Sequence, residues 1–215
     1  MNLENIALTI PGILLGLTLH EFCHAFCSWK LGDDTAQSQG RLTLNPLKHI
    51  DIIGFIFIIV AGFGWAKPVQ FDPQKLKNYR RDKALIAAAG PLSNLALGII
   101  LIYIVKALLP VYFSPDAETS VLFEYLFFMA LNAASINFGL FIFNLLPIPP
   151  LDGSHIVFSG LNLKPETEEK IRRLGVPVLF LILIVQNYMN ITIIPFGSWI
   201  RSIVNFFLSG SAVML

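Results

Sequence analysis

Charge is what this sequence has least of. Only 13% of its 215 residues are Asp, Glu, Lys or Arg, about half the share of an average soluble domain. That shortage excludes a water-soluble globule with an ordinary charged surface. A hydrophobic share of 55% and a mean hydropathy of +0.68 point to the bilayer instead. A surplus of either sign is missing too: the net charge is +1, so there is no basic field for a nucleic acid. Cysteine is nearly absent. Cys23 and Cys27 are too few and too close for a disulfide framework, and they say nothing firm about redox compartment. No internal repeat or low-complexity segment is visible, and the loops are too short to fold alone, so 1–215 reads as a single membrane-embedded domain. The first apolar stretch has no basic leader and is too long for a signal-peptide core, which predicts a retained span.

What is present is a series of apolar runs, at 5–29, 52–63, 84–109, 121–148 and 174–194, with an apolar tail at 196–215. A membrane-spanning helix takes about 20 residues. The expectation is an all-α polytopic membrane protein, a bundle of about four to five transmembrane helices. The run at 52–63 is too short to cross. Between RLTLNP and GWAKPVQF it reads as extended chain, a membrane-dipping β segment near residues 40–69 whose amides must pair with protein. The tail is either a short span or an interfacial helix. Nine of the 15 Lys and Arg lie between 30 and 83, and four more between 164 and 173, whereas 110–120 holds none. Positive residues stay inside, so the chain is expected to sit in the cell membrane as a multi-pass protein. Its N-terminus is then outside and the two basic loops are cytoplasmic.

Inside the first apolar run stands His20-Glu21-Phe22-Cys23-His24. At about 100° per residue, His20 and His24 differ by only about 40° around a helix and can bind one metal together. Glu21 lies about 80° from their midpoint, a poor third ligand but well placed to hold a water beside the metal. Zinc suits imidazole donors and an open fourth position. The competing reading is a buried polar cluster. A charge at the bilayer centre costs at least about 2.5–3.5 kcal/mol, and a metal would offset that cost. Cys23 and Cys27 share the face of the two histidines. Four ligands strung along about 10 Å of straight helix cannot surround one ion, so the cysteines read as small packers.

A catalytic zinc needs a third protein ligand. Glu124 and Asp152 are the candidates in apolar sequence. Asp152 sits in NLLPIPPLDGSH, where Pro147, Pro149 and Pro150 forbid continuous helix and Gly153 permits a sharp turn. Unwound backbone at membrane depth is expected only against protein or a wet cavity. With the first and fourth runs both heading inward, this break and the HExxH pentapeptide fall at similar depth. Glu124 falls at the outer end.

The two motifs in this order, with AGPLSN at 89–94 and GWAKPV at 64–69, resemble the site-2 protease family of intramembrane zinc metalloproteases, in its bacterial kind with few spans. The resemblance covers most of the chain. It implies Zn2+ as cofactor, His20, His24 and Asp152 as its ligands, Glu21 as catalytic base, and Asn144 as a substrate-binding residue. Asn94 is equally a candidate for helix packing or for the site. The segment at 40–69 corresponds to the family's membrane-dipping β segment, implicated in gripping an unwound substrate. The implied reaction is hydrolysis of a peptide bond in the transmembrane segment of a membrane-anchored protein, as in regulated intramembrane proteolysis. The implied partners are a single-span substrate, the lipid bilayer and a possible regulatory membrane protein. The link at 110–120 is too short for the PDZ domain many relatives carry there, and a C-terminal CBS domain is not expected either. His49 and His155 are assigned loop or interfacial roles, with a smaller claim on the site.

Two rivals share these features. A zinc transporter would use intramembrane His and Asp, but would need ligands on several helices and usually repeated halves. A catalytically inactive relative would bind membrane partners, but all four residues of the catalytic set are present. A serine intramembrane protease lacks a nucleophile motif here, and an aspartyl one would need a second membrane aspartate beside Asp152.

Overall fold

A computed structural model describes residues 3–61, 64–114, 120–161, 163, 165–189 and 191–209. Lys164, counted in the charge argument, lies outside the described residues, as does the end of the tail. The elements are helices α1 (Leu3–Lys30), α2 (Thr35–Ser38), α3 (Ile52–Ala61), α4 (Tyr79–Tyr112), α5 (Val121–Asn144), α6 (Asp152–Leu161), α7 (Pro165–Tyr188) and α8 (Phe196–Leu208). The chain is a multi-pass all-α membrane protein.

Among the described residues three helices are long and apolar enough to cross a membrane: α1 over Ile6–Lys30, α4 and α5. The fifth run is not among them. α7 opens with PETEEKIRR, and its apolar part from Leu174 to Tyr188 is only about 22 Å long, short of the roughly 30 Å hydrocarbon core. At 13 residues, α8 is about 20 Å long and falls short for the same reason.

Glycines set the crossings. A Cβ on Gly12 would fall 2.7 Å from the Ala133 Cα, and one on Gly16 would fall 2.9 Å from the Asn137 Oδ1. These pairings run in step, so α1 and α5 are parallel. Asn94 of α4 meets Asn137 of α5, whereas Tyr112, further along α4, stacks on the earlier Phe127, so these pairings run in the opposite order. α4 therefore returns antiparallel between the other two. The ends of α1 and α5 and the start of α4 then share one end of the bundle. The other end is an apolar core of Ile102, Val105, Leu109, Phe127, Phe138, Val204 and Leu208, closed by α8. Lys106 donates to the carbonyls of Phe207 (2.8 Å) and Ser209 (3.3 Å), satisfying a charge inside an apolar helix. Outward faces carry Leu92, Ile100, Tyr103, Val121 and Leu122, all more than half exposed, as lipid contact demands.

The extended reading of 52–63 is corrected over 52–61; residues 62 and 63 lie outside the described residues. Ile52–Ala61 is helical, and no strand occurs among the described residues, where an isolated bridge joins Ile50 and Ala66. The physical reason lies in its start: Asp51 caps the segment, its Oδ1 accepting from Gly54 N (2.9 Å) and its carbonyl from Phe55 N (2.8 Å). A helix pairs its own amides, so an apolar segment of this length needs no neighbouring strand.

Candidate metal centre

The site is assembled at the shared end of the bundle. His20, Glu21 and His24 lie on the last turns of α1, each less than a tenth exposed. The imidazoles are aimed by their Nδ1 atoms. His24 Nδ1–H donates to the Ile86 carbonyl (2.6 Å), and His20 Nδ1–H donates to Asn94 Oδ1 (2.7 Å). The Asn94 orientation is settled by its other end, since Nδ2 donates to the Gly16 carbonyl (3.0 Å) and to Asn137 Oδ1 (2.9 Å). Asn137 Nδ2 in turn donates to the Ala133 carbonyl (2.8 Å). With the proton held on Nδ1, each ring presents a lone pair at Nε2.

Those lone pairs meet. The two Nε2 atoms are 2.9 Å apart, and Asp152 Oδ2 lies 3.1 Å from His20 Nε2 and 3.4 Å from His24 Nε2. Donor atoms on a tetrahedral zinc stand roughly 3.3 Å apart. Oδ2 is buried without a hydrogen-bond donor. Three acceptors facing one point need a cation between them. A shared proton serves two of them; a divalent ion serves all three. Among the described residues these form the one cluster of His, Cys, Asp or Glu with metal-binding spacing. The donor set, two imidazoles and a carboxylate, fits zinc with a position left open.

Local sequence explains the approach. Gly90 faces both rings: a Cβ there would lie 2.4 Å from His24 Nε2 and 2.7 Å from His20 Nε2. Asn94, one turn on, then reaches His20. Asp152 arrives from the proline break after Asn144. A Cβ on Gly153 would strike the Leu145 carbonyl at 2.2 Å, so only glycine lets α6 start this tightly against the end of α5.

A cavity of about 430 Å³ opens beside the cluster, lined by His20, Glu21, His24, Asn144, Asp152 and His155, with Gly64–Ala66 and Pro68–Val69 along one wall. Glu21 Oε2 accepts from the Val69 amide (3.0 Å). Asn144 lines the cavity and donates from Nδ2 to the Leu140 carbonyl (3.0 Å). Asn94, by contrast, is fully buried beneath His20, with its amide spent on helix contacts. His155 stands on the wall with Nδ1 unpartnered, its pKa pushed down to about 4 by burial and by Lys83 and Arg172. His49 is fully buried outside the cavity wall, and burial pushes its pKa down as well. Cys23 and Cys27 are free and outside the cluster. Glu124 lies in the first turn of α5, about 30 Å of helix from Asn144.

The profile of Peptidase family M50 matches residues 109–186, the stretch that holds the proline break and Asp152. The chain is 42% identical over 145 residues to a Bacillus subtilis protein named "Putative zinc metalloprotease YwhC", covering 67% of this chain and 65% of that one. It is 33% identical over 166 residues to "Putative zinc metalloprotease Rip2" of Mycolicibacterium smegmatis, covering 75% of this chain and 59% of that one. Residues 109–186 belong to peptidase family M50, the site-2 protease family. Zinc is the metal this M50 membership implies, and the His20, His24 and Asp152 donors fit it. The chain spans 65% and 59% of the lengths of these two relatives. No solved structure matches it.

Isolated motifs could not show the contacts between helices. Gly90, the Ile86 carbonyl, Asn137 and the Val69 amide all serve the site, and none was a candidate. Asn137 did carry a signal: an amide inside an apolar helix needs a partner on another helix.

Proposed function

We propose that the chain is an intramembrane zinc metalloendopeptidase. On this reading it hydrolyses a peptide bond within the transmembrane segment of a membrane-anchored, single-span protein. The observation that carries the proposal is the convergence of His20 Nε2, His24 Nε2 and Asp152 Oδ2 beside the Glu21 carboxylate, on the wall of a cavity at one end of a membrane bundle. Bound zinc would supply a Lewis acid that polarises the scissile carbonyl and makes water a nucleophile near neutral pH.

The protein's own groups do the rest. His20, His24 and Asp152 hold the ion. Asn94 and the Ile86 carbonyl keep both rings in the tautomer that leaves Nε2 free. Glu21 takes the proton from water and delivers it to the leaving amine. Asn144, on the cavity wall, turns its amide to substrate backbone or to the developing oxyanion. Substrate helix must open first, because a helical carbonyl is already paired. The opened segment lies along the wall at 64–69 and adds its backbone there. The N-terminus is outside and the basic loops are cytoplasmic, so the cavity faces the cytoplasm. A regulatory membrane protein is an expected further partner.

A transporter gains nothing from a carboxylate held beside the ion, and the described residues contain a single ligand cluster. The deciding experiment is Glu21→Gln. The variant is expected to bind zinc as the wild type does by metal analysis, and to trap an uncut single-span partner on co-expression. Retained cleavage removes Glu21 from the role of base.

A further inference from the structure

The Glu21 carboxylate is gripped by a backbone amide from a non-helical segment, Val69 N–H. Such an amide holds its direction only if its own peptide group is fixed. The oxygen of that same peptide group is the Pro68 carbonyl, and it accepts from Arg41 Nη1 at 3.4 Å. Arg41 Nη2 donates to the preceding carbonyl, Lys67 O. Arg41 is only 6% exposed. Its Nη1 and the Glu21 carboxylate therefore sit on opposite sides of one planar unit, with guanidinium on the oxygen and carboxylate on the N–H. In a trans peptide these two point in opposite directions.

Two consequences follow. A cation on the oxygen polarises the peptide and strengthens its N–H as a donor. The planar unit also cannot rotate about its own axis without breaking both contacts. Further supports hold the same segment from behind. Lys67 N donates to the His49 carbonyl (2.8 Å), and the fully buried His49 ring donates from Nε2 to the Thr43 carbonyl (2.7 Å). Pro68 adds a fixed φ.

We propose that Arg41 is a positioning residue for Glu21, acting through the Pro68–Val69 peptide group to aim the carboxylate. Its catalytic consequence rests on the protease reading; the clamp itself does not.

The test uses the full chain in detergent, loaded with zinc. In hydrogen exchange, the peptide covering 65–71 is expected to exchange about tenfold faster in Arg41→Met. Glu21→Ala is expected to speed the same peptide, and α5 should be unaffected in both. Unchanged exchange at 65–71 overturns the clamp. With a fluorogenic single-span peptide that the wild type cuts, Arg41→Met is expected to lower kcat by about 10–100-fold, by more than it raises KM, with zinc content unchanged. Arg41→Lys, which keeps the charge and can reach one carbonyl, should recover part of both effects. It decides the matter if the Met variant does not fold. A wild-type kcat, or a loss that merely tracks zinc content, overturns the proposal. Should the wild type cut no peptide at all, the protease reading fails, and the exchange measurement still decides the clamp.

Discussion

Alanine in place of Gly90 adds a single methyl group, and the site has no room for it. The new Cβ would lie 2.4 Å from His24 Nε2 and 2.7 Å from both Cε1 and Nε2 of His20, where ordinary contact begins at 3.4 Å. Relief takes a shift of about 1 Å, against a tolerance of about 0.2 Å in metal–ligand distances. Neither ring can swing aside freely, because each is tied at Nδ1, to Ile86 O at 2.6 Å and to Asn94 Oδ1 at 2.7 Å. Losing one such orienting contact costs about 10–100-fold in metal affinity or activity. With both rings displaced, Gly90→Ala is expected to weaken zinc binding by about 100–10,000-fold. Overpacking adds a stability cost of about 1–3 kcal/mol. The control is Gly160→Ala in α6, where a Cβ meets nothing within 4 Å. It should leave zinc affinity unchanged and raise stability by up to about 1 kcal/mol. Competition with a chromophoric zinc chelator, paired with thermal unfolding with and without zinc, reads both quantities. A folded Gly90→Ala protein that binds zinc as tightly as the wild type refutes the steric argument and the ligand geometry beneath it.

Removing the third ligand with Asp152→Ala should release zinc under mild chelation that leaves the wild type loaded; undiminished zinc by metal analysis would count against the carboxylate. Asn94→Ala strips His20 of its orienting acceptor and leaves Asn137 Oδ1 without its donor. It is expected to lower zinc affinity by about 10–100-fold and stability by about 1–3 kcal/mol, read by the same chelator competition and by unfolding. Asp33 is fully buried and accepts from Ser28 Oγ, Thr35 N and Oγ1, and Asp72 N. Burial opposes its ionisation, but the bonds from Thr35, Asp72 and Ser28 hold its pKa below the ordinary 3.8. The folded value is the lower one, so this stability is present above the unfolded pKa and lost as pH falls through the folded one. Asp33→Asn should therefore lower the Tm at pH 7, and the gap to wild type should close as pH drops below 3.8.

How much of this was legible in the sequence depended on whether a feature is local. The HExxH pairing is local, since a four-residue spacing places two rings on one helix face wherever that helix packs. The break at Pro147–Gly153 is local too, because proline and glycine act on their own backbone. The depth of Asp152 required only counting spans. The segment at 52–63 misled because length and flanking residues do not separate a short helix from a strand. What decided it was Asp51, whose side chain and carbonyl cap the segment. At α7 the apolar run of 174–194 continues beyond the helix, which ends at Tyr188, so the length of a run does not give the length of its helical part. The role of Asn94 could not be read at all, because spacing gives the face a side chain occupies and not the residue it meets there.

The distribution of polar groups makes the strongest case that the bundle is organised around this one end. The buried polar side chains of the spanning helices are Thr18, His20, Glu21, His24 and Ser28 in α1, Asp82, Lys83 and Asn94 in α4, and Asn137 in α5. Every one lies in the half of its helix nearest the metal cluster. The other half is closed by aliphatic and aromatic packing. If polar pairs merely glued the helices together, they would have no reason to favour one end, since interhelical hydrogen bonds contribute similarly along a span. A gathering of the fully buried polar side chains of the spanning helices toward the end where two imidazoles must be aimed is what a metal site requires, because each orienting acceptor needs a donor to fix it in turn. The relay from His20 through Asn94 and Asn137 to the Ala133 carbonyl is such a succession, and it ends on backbone, where no further partner is needed.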